Sequence, residues 1–277
     1  MNAGDPTAVW EWDPGEDSFA PVVDPPERTG AGMAPLVADS WLVTDGAARA
    51  FSHHRRRFTR ACRGAIGVVA DAKLIAPVEE DRFWSSLAAL IPASGDWFPR
   101  VELTDALRLR VRPAPARGPS VIVWDPQATD PREHPRVKGP DLPQLGALRE
   151  EARSFGAGEV LLIDSEGNVV EAANSNILWW EGQTLCAPHT DSPVFGGITA
   201  GLVVEEARHR GIAVQARRIT RSRLQEHEVW LTNALHGIRS VSAWRGTGIA
   251  TEAGAVDEAR LEEWRSWWDG LGEPLNG

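Results

Sequence analysis

Lys138 and Glu171 stand 33 positions apart (171 minus 138), with an apolar stretch, Glu159-Val160-Leu161-Leu162-Ile163-Asp164, and a turn, Ser165-Glu166-Gly167-Asn168, between them. An amine can form a Schiff base with a carbonyl, and a carboxylate can keep a pyridine nitrogen protonated. A pyridoxal phosphate (PLP) enzyme needs both groups, so the pair predicts PLP chemistry if both face one cavity. Each also has a plainer reading. A lysine ahead of a helix is ordinarily a solvated surface charge. Glu171 interrupts a run that is otherwise apolar and small, Val169 to Trp180, where a carboxylate needs a cation or a donor and could be a simple salt-bridge partner.

Three further segments have the chemistry to hold an anion. Phe195-Gly196-Gly197-Ile198-Thr199-Ala200 precedes an expected helix, and glycines at a helix N-terminus leave backbone N–H groups and the positive dipole end open to a phosphate. Thr199 is equally suited to being that helix's N-cap. His53-His54-Arg55-Arg56-Arg57 is a basic run in which Arg55 and Arg56 read as a solvated face. Arg57, next to apolar Phe58, falls at the buried edge, where a guanidinium calls for an anion such as a phosphate. Thr232 and Asn233 end an expected strand and are either ligand donors or turn formers.

The bulk composition narrows the partners. The net charge is −10, which opposes a nucleic-acid or anionic-membrane partner and favours small-molecule ligands. Two cysteines, Cys62 and Cys186, provide neither a disulfide framework nor a Cys-based metal spacing, which predicts a reducing cytoplasmic location and no metal. No apolar run approaches membrane-spanning length, and the segment from Met1 lacks the features of a signal peptide. Thirteen Trp and no Tyr exclude any mechanism that needs a phenol.

The elements that position these residues read as alternating β and α. A hairpin is expected over Ala8–Trp12 and Ser18–Val23, a loop over 24–35, a strand over Leu36–Thr44 and a partner strand at Arg49–Phe51. Helices are expected from a Ser52 cap through Phe58, Cys62, Ile66 and Val69, and over Phe83–Ile91. Strands follow at 101–104, 107–112 and 120–124. A proline-rich stretch, 126–137, reads as a linker between an N-terminal α/β domain, 1–125, and a C-terminal cofactor-binding domain, 138–277. Beyond it come a helix at Leu145–Phe155, strands through Leu162, at 169–171, 175–180, 184–187, 213–217 and 228–232, and helices at Thr199–Arg210, from Thr220, and at Asp257–Leu271. Residues 233–239 read as a polar turn.

With these segments in order, the chain resembles the class IV aminotransferase family of PLP enzymes from about Val37 to Trp244. That family includes branched-chain and D-amino acid aminotransferases and 4-amino-4-deoxychorismate lyase. The resemblance rests chiefly on Glu171-Ala-Ala-Asn-Ser-Asn176, on Gly197-Ile198-Thr199 and on the Lys138-to-Glu171 interval. It implies a two-domain α/β (α+β) fold of type IV, like D-amino acid aminotransferase, and a homodimer. It makes Lys138 the Schiff-base lysine and proton shuttle and Glu171 the partner of the pyridine nitrogen. Arg57, Gly197, Ile198 and Thr199 would hold the phosphate, Phe195 would pack on the ring, and Asn176 and Asn233 would join the cofactor site. Asn233-Ala234-Leu235 resembles the lyase branch, which forms 4-aminobenzoate and pyruvate from aminodeoxychorismate. An amino-acid/keto-acid aminotransferase is the alternative, since one lysine serves both outcomes, and a catalytically silent PLP-fold binding protein is a third. Ala200, Leu178 and Ala187-Pro188 depart from the family pattern, as does Ala38-Asp39-Ser40-Trp41 in place of a glycine-rich segment. Together with the absence of Tyr, these changes bear on the pocket for the small-molecule amine substrate.

Overall fold

The computed structural model describes residues 8–22, 34–65, 74–246 and 249–275, and its chain divides into two units. The first comprises Met1–Ala116, Val137–Pro140 and Leu271–Gly277, the second Arg117–Arg136 and Asp141–Gly270.

In the first unit β1 (Ala8–Asp13) and β2 (Ser18–Pro21) form the expected hairpin, with Trp10 opposite Pro21 and Asp13 opposite Ser18. The Asp13 carboxylate accepts from the Gly15 N–H at 2.8 Å and closes the turn. There follow β3 (Val37–Ser40), β4 (Val43–Thr44), β5 (Ala47–Arg49), α1 (Phe51–Gly64), α2 (Asp81–Ala89), β6 (Asp96–Trp97), β7 (Arg100–Leu103) and β8 (Leu107–Val111). One antiparallel sheet runs β2-β1-β8-β7-β3. Helix α1 buries His54, Phe58 and Cys62, spaced by four along one face, against the core that contains Trp41, Phe83 and Trp84. It starts two residues earlier than expected. Ala50 takes a left-handed φ of 56° as its N-cap, with no side-chain cap hydrogen bond, so Ser52 lies inside the helix. Ile66 and Val69 lie outside the described residues, as does most of the 24–35 loop.

The second unit contains β9 (Ser120–Asp125), α3 (Leu142–Ser154), β10 (Glu159–Ile163), β11 (Val169–Ala172), β12 (Asn176–Glu181), β13 (Thr184–Pro188) and α4 (Ile198–His209). It continues with β14 (Val214–Arg217), α5 (Arg221–Leu224), β15 (Glu228–Asn233), β16 (Gly237–Gly246), β17 (Ile249–Glu252) and α6 (Glu258–Asp269). A mixed sheet runs β11-β10-β9-β16-β15-β12-β13-β14, with β17 paired to β16. β10 and β11 are buried at every residue. For Leu161 and Leu162, two apolar clusters account for this: Leu161 joins one with Trp179 and Leu231, and Leu162 joins the other with Leu145 and Ala152.

The boundaries differ from the 1–125, 126–137 and 138–277 division. β9 was expected at the end of the N-terminal domain, but it pairs in parallel with both β10 and β16 and so belongs to the second unit. The proline-rich stretch is no slack linker, because the Asp130 N–H donates to the Ile163 carbonyl at 2.7 Å. Lys138 belongs to the first unit, where its carbonyl accepts from the Ala38 N–H at 2.7 Å. The chain end also returns there, with β18 (Gly272–Pro274) pairing with β5. The expected polar turn at 233–239 is shorter than foreseen. Gly237, at φ 67°, brings the chain into the ten-residue strand β16, and a Cβ at that position would meet the Trp268 ring at 2.6 Å.

Candidate active site

In the first unit Lys138 is fixed by its neighbour. Gly139 has φ 156°, and a Cβ there would lie 2.6 Å from the Pro35 carbonyl oxygen and 2.8 Å from that of Leu36. Only glycine lets the chain pass so close to the 35–36 backbone, which holds Lys138 beside β3. The Lys138 side chain is partly buried. Burial pushes its amine down to about 8, and the charges of Arg57, Arg100 and Arg112 lower it further against the opposing pull of Asp39.

Asp39 organises this cluster. It is fully buried on β3 and accepts from Arg57 Nε at 2.8 Å and Arg57 Nη2 at 2.7 Å, a two-point contact across the guanidinium fork. Its Oδ1 also contacts His54 Nδ1 at 2.8 Å and accepts from the Ser40 N–H at 2.7 Å. Burial alone would raise the Asp39 carboxyl, but Arg57 and His54 hold it well below the usual carboxylate range. Burial lowers the His54 imidazole, with Asp39 opposing. Arg57, expected to face a phosphate, therefore gives two of its donors to a protein carboxylate. Asp39 carried the same signal as Glu171, an acid inside a short apolar strand.

In the second unit Glu171 sits on β11 and is buried. Its carboxylate accepts from Asn176 Nδ2 at 2.9 Å and from the Phe195 N–H at 3.0 Å, and it is paired with Arg132. Arg132 in turn is held by Asp130, with Nη2 donating to Oδ2 at 2.6 Å. Burial raises the Glu171 carboxyl to about 7, against the lowering effects of Arg132 and the Phe195 N–H. Arg132 lies within the stretch read as a linker, and nothing in the local pattern marks it as the partner of an acid 39 residues away.

Asn176 donates its second amide hydrogen to the Phe195 carbonyl at 2.8 Å, tying β12 to the segment that enters α4. A Cβ on Gly197 would fall 1.6 Å from Asn176 Oδ1, so this approach requires glycine. Gly197 is the N-cap of α4, no side-chain cap hydrogen bond forms, and the first turn has no acidic residue. The reading of Thr199 as the cap therefore gives way. Its Oγ1 is buried and has no hydrogen-bond partner among the described residues. The first N–H groups of any α-helix lack intrahelical acceptors, so this terminus combines open backbone donors with an orphaned hydroxyl.

Thr232 pairs with Asn176 across β15 and β12, and its buried Oγ1 also has no partner among the described residues. Alternation along the strand turns Asn233 to the opposite face. There Asn233 Nδ2 donates to the Asn174 carbonyl at 3.2 Å and to Ser175 Oγ at 3.0 Å, while Oδ1 accepts from the N–H groups of Leu235 and His236. Asn233, expected at the cofactor, builds the β15–β16 turn, its oxygen taken by Leu235 and His236 and its Nδ2 by Asn174 and Ser175 from β12's side of the sheet. The structure thus groups Lys138 with Arg57 around Asp39 in one unit. It groups Glu171, Asn176, Phe195, Gly197, Ile198 and Thr199 in the other.

Comparison with known proteins identifies the lineage. Residues 36–244, well over half of the chain, match the family model for amino-transferase class IV. A mitochondrial branched-chain-amino-acid aminotransferase 1 of Arabidopsis thaliana is 31% identical over 127 residues, 45% of this chain and 33% of that protein. The aminodeoxychorismate lyase of Bacillus subtilis (strain 168) is 27% identical over 102 residues, 36% of this chain and 35% of that protein. The matched stretches thus span about a third of the length of these curated relatives. A solved structure described as a hypothetical aminotransferase from Mycobacterium tuberculosis in PLP-bound form superimposes with TM-score 0.71 at 17% identity, covering 96% of this chain and 98% of that one, a likeness of fold. With a mixed α/β architecture and a family match of this extent, the chain belongs to the class IV aminotransferases, a family of PLP-dependent enzymes.

Proposed function

We propose that this chain is a PLP-dependent enzyme acting on a small-molecule amine. The observation that carries the reading is the second-unit cluster, where the buried Glu171 carboxylate shares Asn176 and Phe195 with a helix N-terminus bearing the orphaned Thr199 hydroxyl. An anion at that terminus would supply the acceptor Thr199 lacks, and the first turn of α4 carries no acidic side chain to repel it. The residues fit the cofactor.

When bound, PLP supplies an electron sink for negative charge at the carbon bearing the substrate amine. Lys138 would hold the cofactor covalently, and its amine, lowered to about 8, keeps a neutral fraction near physiological pH with which to carry a proton. Glu171 would hold the ring nitrogen, with Arg132 favouring the ionised carboxylate and Asn176 fixing its plane. Ile198 and Thr199 would bind the phosphate through backbone N–H groups and the Thr199 hydroxyl, and Phe195 would lie against the ring. Arg57, oriented by Asp39, would add its positive charge to the phosphate side.

The reaction we favour is conversion of 4-amino-4-deoxychorismate to 4-aminobenzoate and pyruvate. Asn233-Ala234-Leu235 supports it, as does the likeness to a protein named aminodeoxychorismate lyase. The aminotransferase reading is supported by the 31% identity to a branched-chain aminotransferase. We expect a cytoplasmic homodimer, which light scattering of the purified protein tests directly. Purified protein with PLP should show a visible absorption band that Lys138→Ala abolishes, and a protein that stays colourless overturns the cofactor reading. Release of 4-aminobenzoate from aminodeoxychorismate identifies the lyase. Accumulation of pyridoxamine phosphate with an amino-acid panel identifies the aminotransferase.

A further inference from the structure

The face of β15 that carries Asn233 adjoins a set of cations with too few anions. Arg239, on β16, is only 7% exposed, yet its Nε has no hydrogen-bond partner among the described residues. Its nearest described carboxylate is Glu159, whose Oε2 stands 3.9 Å from Arg239 Nη2. Arg149, on α3, stands equally far, 3.9 Å, from Glu159 Oε1. Glu159 takes its hydrogen bonds from other donors: the N–H groups of Val160 and Asn174, each at 3.2 Å, and Ser175 Oγ at 3.0 Å. The two guanidinium groups are therefore neighbours of a carboxylate whose hydrogen bonds go elsewhere, and Arg149 Nη1 bonds the Asn174 amide oxygen at 2.6 Å once that amide is turned to accept. His236 Nδ1, at the end of the Asn233 turn, is also buried without a partner among the described residues.

We propose that Arg239, Arg149 and His236 form a binding site for a small oxyanion, a carboxylate or a phosphate, separate from the α4 terminus on the Thr232 side of β15. A buried guanidinium with an unmet donor, as at Arg239 Nε, is costly, and its planar fork matches two oxygens of one oxyanion. The groups that face His236 are Arg239 from β16, Arg149 from α3 and Arg117 from the segment before β9, with Glu159 on β10 as the counter-charge to Arg149 and Arg239. Burial and the three guanidinium groups push the His236 imidazole down to about 4, so it is neutral at physiological pH. An anion seated among these cations offsets their field and gives the imidazole a reason to protonate.

The test uses PLP-loaded protein, so that the cofactor's phosphate site is filled, at constant ionic strength in chloride. Inorganic phosphate and acetate are titrated separately by calorimetry. Saturable binding of phosphate alone assigns a phosphate site, and binding of acetate alone or of both assigns a carboxylate-accepting site. Either result should weaken about tenfold or more in Arg239→Gln and in the more exposed Arg149→Gln. If Arg239→Gln does not fold, the imidazole titration of His236 in the native protein decides the matter by NMR. Saturating anion should raise it from about 4. Absence of binding, binding unchanged in the variants, or a His236 titration unmoved by bound anion overturns the proposal.

Discussion

Gly197→Ala should dislodge Asn176 and, through it, the Glu171 carboxylate. The added Cβ would fall 1.6 Å from Asn176 Oδ1, far inside contact distance, so the amide must leave its place. It then gives up its hydrogen bonds to Glu171 at 2.9 Å and to the Phe195 carbonyl at 2.8 Å. Each such bond contributes about 1 kcal/mol net, and relieving the overpacking costs a further 1–3 kcal/mol, roughly. The expected loss is about 3–5 kcal/mol, which in a chain of this size lowers the melting temperature by roughly 6–20 °C. The assay is thermal unfolding followed by Trp fluorescence, run as a double-mutant cycle with Asn176→Ala. Removing the Asn176 amide removes the obstacle, so Gly197→Ala on that background should cost under about 1 kcal/mol. Equal costs on both backgrounds, or no cost in the native chain, would refute the contact and with it the account of how Glu171 is held.

Asp39→Asn should destabilise the first unit by about 3–5 kcal/mol, because it leaves the Arg57 guanidinium without its buried counter-ion. Asp39 has a folded pKa below its unfolded value, so its contribution is fully present above about pH 4–5 and is lost as the pH falls further. The stability gap between the two proteins in urea titrations should therefore be flat near neutrality and narrow only in acid. The rate at which PLP attaches, followed by absorbance, should rise with pH through about 8 as the Lys138 amine loses its proton, and a rate that is level from pH 6 to 9 would contradict its lowered value. Gly139→Ala should slow or block that attachment and lower stability measurably, since its Cβ meets two backbone oxygens that cannot swing aside. Unaltered attachment would show that Lys138 is not positioned by this crossing.

The sequence alone determined the local order of elements and the chemistry available. The helical spacing of Phe58 and Cys62, the turn at Asp13 to Asp17 and the glycine ahead of Ile198-Thr199 each arise from nearby residues. Each is found in the structure within a residue or two of where the pattern put it. Glu171 was legible for a similar reason, as a carboxylate within an apolar run that has to find a partner. Which partner it finds depends on contacts far apart in the chain, and only the tertiary structure decided that. Arg132 reaches Glu171 across 39 residues and Asp39 takes Arg57 across 18. Asn233, equally suited by type to a ligand or a turn, was committed to the turn by Asn174 and Ser175, residues brought alongside when β12 paired with β15. Periodicity reports which face a residue occupies, whereas the pairing of buried charges is set by desolvation, which no local pattern records.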